Sequence, residues 1–237
     1  GAASLVCNYR GRVKIHKIIL TCLLSALAIM PISAHAESVI TKSITTAPGV
    51  NIDTSLYLPS NTPAPAILIA HGFGGSKDSV ASDAQYFASK GYVVLTWTAR
   101  GFGKSTGQIS MNAQEGEVAD TRALVSFLAK STYVIQDKTS DPRVGIMGGS
   151  YGGANALLSA SADPRIDAVI ADITWNDLSQ GLFPQSVAGS TQAGPFKKVW
   201  AGTFFSAVSL QNAYLGECGS FTQVWCDSYR NAVINGA

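Results

Sequence analysis

The stretch "RVGIMGGSYGGANALLSASA", Arg143 to Ala162, constrains the fold more than any other part of the chain. Its first half is a short apolar run suited to a buried strand, and its second half has the composition and length of a helix. Between them lies Gly148-Gly149-Ser150-Tyr151-Gly152, a serine with a glycine two positions before it and another two positions after. A strand that turns so abruptly into a helix needs small residues where the two elements meet, and it leaves the turn residue strained and accessible. The helix amino terminus then offers free N–H groups and positive potential beside the serine hydroxyl. Ser150 is therefore a candidate nucleophile. The competing reading of the same residues is a glycine-rich turn whose serine caps the helix.

Upstream, strand-like and helix-like segments alternate. "VNIDTSLYLP" alternates apolar and polar residues until Pro59, and "APAILIAHG" is a continuous apolar run between Pro65 and Gly72, as a strand covered on both faces should be. A helix is predicted from about Ser79 to Lys90, stopped by Gly91. "YVVLTW" reads as a buried strand, "GEVADTRALVSFLAK" as a helix and "IDAVIADITW" as a further strand. This rhythm predicts an α/β fold, with a mostly parallel sheet and helices on both faces. Beyond Trp175 the rhythm breaks. Residues 37–175 are thus read as the core, and residues 176–237 as short helices and loops that begin a cap or lid over a pocket, or an interface layer.

A second loop belongs with the serine. In α/β-hydrolases the loop after an earlier strand supplies one oxyanion-binding N–H, and the residue after the nucleophile supplies the other. Here "AHGFGG", Ala70 to Gly75, follows the first buried strand, so the two donors are the N–H groups of Phe73 and Tyr151. Gly72 lets backbone approach closely, as do Gly148 and Gly152 in the elbow, and His71 reads as a structural residue of the loop rather than a base. "TARGFGKSTG", Thr98 to Gly107, superficially suggests a phosphate-binding loop. The position that needs its first glycine is Thr98, and Gly107 interrupts the required helix, so that reading is set aside.

Taken together, "AHGFGGSKDS", "ARGFGKSTG" and "GIMGGSYGG" resemble the secreted α/β-hydrolases of the Xaa-Pro dipeptidyl-peptidase and cocaine-esterase-like group, over about Val50 to Pro184. The resemblance implies an α/β-hydrolase fold and a serine hydrolase that forms an acyl-enzyme on Ser150 from an ester or a peptide amide. Its partner is then a small-molecule or peptide substrate, with no cofactor and no metal. It also implies a helical cap, a catalytic Asp, a catalytic His and often a carboxy-terminal β-sandwich. Two departures weaken a proline-specific peptidase: the usual Asp before Ala-Arg-Gly is Thr98, and the tyrosine hydroxyl that some members use for the oxyanion has no clear counterpart before Ser76. A carboxylesterase or lipase-like hydrolase of small esters stays open.

The base is the difficulty. A serine hydroxyl needs a positioned acceptor for its proton, and the order in this fold is Ser, then Asp or Glu, then His. The three histidines are His16, His35 and His71, all before Ser150. Asp172 ends a predicted strand and is either a displaced triad acid or, as the lack of an imidazole favours, a cap or loop contact. Loss of a triad member costs on the order of 10⁴ to 10⁶ in turnover, so these 237 residues are expected to be close to inactive. Either the sheet is cut short of its last strands, which the cap-like ending favours, or the protein is a pseudo-hydrolase that binds without turnover.

The amino terminus sets the compartment. Arg10, Arg12, Lys14 and Lys17 precede the apolar run Ile18 to Met30, which ends in "PISAHA". This pattern reads as a signal peptide, residues 1–36, cleaved after Ala36 for export to the periplasm or exterior. At about 13 residues the run is short of the roughly 20 that span a bilayer, so no stable membrane span is expected after cleavage. A buried helix or a retained anchor is the alternative. "VKIHKI" reads as the natural start, with Gly1 to Arg12 as upstream sequence. Cleavage turns a net charge of +2 into about −2, and the remaining basic residues are scattered, which excludes nucleic-acid binding. It also leaves two cysteines, Cys218 and Cys226, expected to form a disulfide in an oxidising compartment or else to be two buried thiols.

Overall fold

The computed structural model describes residues 38–175, 177–184, 195–211 and 218–235. The signal segment expected over residues 1–36 lies outside them. Strands β1 (Ser38–Ala47), β2 (Val50–Leu58), β3 (Ala66–Ala70) and β4 (Val93–Trp97) precede a small two-stranded ribbon, β5 (Gln136–Lys138) with β6 (Asp141–Pro142), and are followed by β7 (Val144–Gly149) and β8 (Ile166–Asp172). The main sheet runs β1-β2-β4-β3-β7-β8. β4, β3, β7 and β8 are mutually parallel, and the hairpin β1–β2 joins antiparallel at one edge.

Side-chain alternation explains why this sheet is covered twice. Leu56, Leu95, Leu68 and Ile146 are paired in register as one row across four strands. On that face they pack against Leu124, Val125 and Leu128 of α2 (Glu117–Leu128) and Ala156 of α3 (Tyr151–Ala162). Each neighbouring residue points the other way, as a period of two requires. Tyr57, Val94 and Ile69 accordingly pack against Ala84 and Ala88 of α1 (Ala81–Ser89) on the opposite face. Burying a large aliphatic chain stabilises by about 1.5–3 kcal/mol, so this central row anchors the fold.

The predicted helix from Ser79 to Lys90 divides into a 3₁₀ turn, Lys77–Val80, and α1, and Gly91 stops it with a φ of 94°. The strand β1 carries no apolar run, because it is an exposed edge paired only to β2, and so it leaves little trace in the sequence. β8 also lies at an edge among the described residues, with Val169 37% and Ile170 59% exposed. After residue 176 the described elements are α4 (Leu178–Leu182), α5 (Lys198–Gln211) and α6 (Gln223–Asn235), all helical. Cys218 and Cys226 form a disulfide at the start of α6. The segment beside it is fastened to the loop after β4: Ile109 N–H donates to Ser220 O at 2.7 Å, and Thr222 N–H donates to Ile109 O at 2.9 Å. Among the described residues no helix is long and apolar enough to cross a membrane.

One buried polar network ties that loop to the helices. Glu117, 2% exposed, opens α2 and accepts four hydrogen bonds. They come from Ser110 N–H (2.7 Å), Asn112 N–H (3.0 Å), the Ser110 hydroxyl and the Tyr151 hydroxyl (3.0 Å). Asn112 in turn donates to Tyr151 O at 3.0 Å and accepts from Asn155 Nδ2 at 3.1 Å. Asn155 Oδ1 accepts from the Thr121 hydroxyl at 2.8 Å, which returns the network to α2. A buried group with all its partners costs little, whereas removing one partner leaves the others unsatisfied. Glu117→Ala is therefore expected to lower the unfolding free energy by about 3–5 kcal/mol, and Glu117→Gln by clearly less because an acceptor oxygen is retained. Urea denaturation of the two variants, with unchanged slope, checks this.

Candidate active site

The turn at Ser150 is strained, and its surroundings hold it there. Ser150 has φ 54° and ψ −119°, an unfavourable region for a residue with a Cβ. Its N–H donates to Asp172 O at 2.9 Å, and its carbonyl accepts from the Thr174 hydroxyl at 2.7 Å and Ala154 N–H at 3.0 Å. Strain of this kind, about 1–3 kcal/mol, persists only where neighbours over-determine the backbone. The flanking glycines follow from space. A Cβ on Gly148 would lie 2.5 Å from the Gly152 carbonyl carbon, and one on Gly152 would lie 2.5 Å from Ala70 O.

The same geometry bears on the capping alternative. A capping serine has an extended backbone and a side-chain oxygen that accepts an N–H from the first turn. Ser150 has neither feature: its φ is positive and its side chain makes no cap hydrogen bond. The hydroxyl is half-buried at the start of α3, uncommitted to any partner among the described residues.

His71, 2% exposed, holds the opposing loop. Its Nε2 accepts the Ala99 N–H at 2.9 Å, which places the proton on Nδ1, donating to Gly72 O at 2.6 Å. Gly72 O also accepts Gly75 N–H at 3.0 Å, closing the turn. Burial pushes the imidazole pKa down, with the Gly72 carbonyl opposing. Both nitrogens are thus occupied in the neutral ring. The next residue but one, Phe73, packs edge-on against Tyr151 with ring centroids 5.6 Å apart, which brings the loop beside the elbow. Neither the Phe73 nor the Tyr151 N–H finds a backbone acceptor among the described residues. The Tyr151 hydroxyl points away to Glu117, and burial, then the Glu117 charge, raises its pKa well above the ordinary value. It stays protonated and serves to orient the residue.

The acids that follow Ser150 are mostly employed elsewhere. Asp163 pairs with Arg165 at 2.6 Å, Asp167 accepts Val144 N–H at 2.8 Å, Asp177 caps α4 and Asp227 accepts from Gln223 at 2.8 Å. Asp172 ends β8 exposed, and its backbone oxygen, not its carboxylate, contacts Ser150. Glu217, His16 and His35 lie outside the described residues. Thr98, where the resemblance expects an Asp, accepts Lys77 N–H at 3.1 Å. Ser105 is buried, donating to Thr98 O at 2.6 Å and accepting Asp53 N–H at 2.9 Å, and no helix begins before Glu117, so "GFGKSTG" builds no phosphate cradle. Sequence reading missed Glu117, Asn112 and Asn155. The available signal was the polar set Glu117, Asp120 and Thr121 at helical spacing, which faces inward rather than to solvent.

Residues 48–216 match the family described as X-Pro dipeptidyl-peptidase (S15 family). The quorum-quenching protein AidA of Acinetobacter baumannii is 34% identical over 131 residues, covering 54% of this chain and 41% of that protein. Dipeptidyl aminopeptidase BIII of Pseudoxanthomonas mexicana is 34% identical over 116 residues, covering 48% of this chain and 17% of that protein. The chain thus spans less than half the length of these relatives. The crystal structure of the α/β-hydrolase GrgF from Penicillium sp. sh18 superposes with a TM-score of 0.52 at 18% identity, over 84% of this chain and 67% of that one. With the sheet order, the elbow and the loop that faces it, these likenesses place the chain: it has the α/β-hydrolase fold and belongs to the X-Pro dipeptidyl-peptidase (S15) family.

Proposed function

We propose that the protein is an exported serine hydrolase that cleaves an ester or amide bond through an acyl-enzyme on Ser150. The observation that carries this reading is the strained backbone of Ser150 with its uncommitted hydroxyl at the mouth of α3. In the first step Ser150 Oγ gives its proton to a base as it bonds to the carbonyl carbon, and the carbonyl oxygen becomes an oxyanion that accepts from the N–H groups of Phe73 and Tyr151. Collapse of the tetrahedral intermediate breaks the bond to the leaving group, which takes that proton and departs as the alcohol or amine, and water then cleaves the acyl-enzyme to release the acid and restore the Ser150 hydroxyl. One such N–H contributes about 2.7–4 kcal/mol to the transition state.

The proton acceptor in this scheme is not His71, whose nitrogens are both engaged. The base is an imidazole outside the described residues, and the described residues alone leave Ser150 almost unactivated. Export is supported by the basic-then-apolar order of Arg10 to Met30 and by the Cys218–Cys226 disulfide, which suits an oxidising compartment.

The test is a fluorophosphonate probe applied to the protein expressed from its complete gene. A single adduct on the Ser150 peptide is expected by mass spectrometry, lost in Ser150→Ala together with at least about a 10⁴-fold fall in kcat. Folded protein that takes no adduct overturns the reading. A structural rather than catalytic His71 also has a pH signature. Its folded pKa is lowered, so as pH falls below the ordinary value of about 6.5 the unfolded chain takes up the proton first. Its contribution to stability is complete above that pH and is lost progressively as pH falls towards the folded value. Urea midpoints measured from pH 8 to pH 5 should show this loss, and His71→Gln should flatten it.

A further inference from the structure

The helices α4, α5 and α6 line an open cavity of about 500 Å³, walled by Leu182, Phe196, Phe204, Phe221, Trp225 and Tyr229 among others. That volume lies in the range of small-molecule sites. Among the described residues no Asp, Glu, Lys, Arg or His lines it. Of its polar side chains, Trp225 Nε1 donates to Ser110 O at 2.9 Å and the Ser228 hydroxyl donates to Val224 O at 2.7 Å, while the Tyr229 hydroxyl and the Asn231 amide are neutral groups. A charged ligand would therefore lose its hydration without gaining a partner of opposite charge.

The cavity adjoins the oxyanion loop through one ring. Phe73 packs against Phe204 and Phe221 of the cavity wall, with centroids 5.1 and 6.1 Å away, and against Tyr151 at 5.6 Å on the elbow side. Phe73 and Tyr151 are the two residues whose N–H groups would face an oxyanion. The cavity wall and the elbow thus share the Phe73 ring as a common neighbour.

We infer that this cavity holds the neutral, apolar acyl chain of an ester substrate and selects against substrates with a free, cationic amino terminus, such as the dipeptides after which the family is named. The inference rests on Ser150 as the nucleophile for its turnover arm and on the cavity alone for its binding arm. Binding is measured by calorimetry on the full-length protein with 1-decanol and with decylamine at pH 7. The alcohol is expected to bind at least ten-fold more tightly. Ala201→Phe from α5 and Ala232→Phe from α6, which fill the cavity from two different helices, are each expected to weaken that binding ten-fold or more, with folding checked by circular dichroism. In turnover, kcat/KM for p-nitrophenyl esters should rise by about 4-fold per added methylene from acetate until the cavity is full. Equal binding of alcohol and amine, or unchanged alcohol affinity in both folded variants, overturns the inference. So does a flat chain-length profile in an enzyme that does acylate Ser150. Tight alcohol binding that both variants abolish, with no ester turnover and no Ser150 adduct, overturns the nucleophile reading and leaves the cavity assignment standing.

Discussion

The site depends on how closely α3 approaches the end of β3. At Gly152 there is no room for even one methyl group beside Ala70 O, and at Gly148 none beside Gly152. This proximity sets Ser150 at positive φ, puts its carbonyl into the first turn of α3 and brings the loop after β3 alongside. A longer gap would relax the serine into an ordinary capping geometry and move the loop after β3 away from the elbow. Backbone packing, more than any charge, is what makes the turn chemically unusual.

A packed elbow still needs a rigid mount, and here the mount is polar. Glu117 collects four donors from the 110–112 loop and from Tyr151, while Asn112 and Asn155 close the circuit between α2 and α3. Arg100 and Asp120 add a fork of two hydrogen bonds at 2.6 and 2.7 Å, and Thr46 of β1 joins through its hydroxyl. An apolar core would hold these helices as tightly, but it would not fix the rotation of the first turn of α3. Directional bonds do that.

The elbow and the facing loop are legible in the amino-acid sequence because glycine at fixed offsets has few other uses between a buried strand and a helix. β3, β4 and β7 are apolar enough to be read directly. β1 is not legible, since an exposed edge strand in which Val39, Ile40 and Ile44 are set among Ser, Thr and Lys has no burial pattern to betray it. The polar mount escapes for the opposite reason: buried Glu117, Asp120 and Thr121 look like the wet face of an amphipathic helix until the partners in the loop and α3 are placed opposite them. The cavity is not legible, because the segment after Trp175 reads equally as a lid over a pocket or as an interface layer. Its walls come from α4, α5 and α6, whose aromatics have weak periodicity and gain meaning only in three dimensions.

Ser110 links the two halves of the molecule. Its carbonyl receives the indole of Trp225 from α6, while its N–H and hydroxyl go to Glu117, which in turn holds Tyr151. The wall of the cavity and the residue that follows Ser150 therefore hang from a single bracket. Between Trp225 and the elbow there are only two further hydrogen-bonded residues, Ser110 and Glu117. The packing around α6 and the geometry of the elbow are thus held by one continuous set of hydrogen bonds.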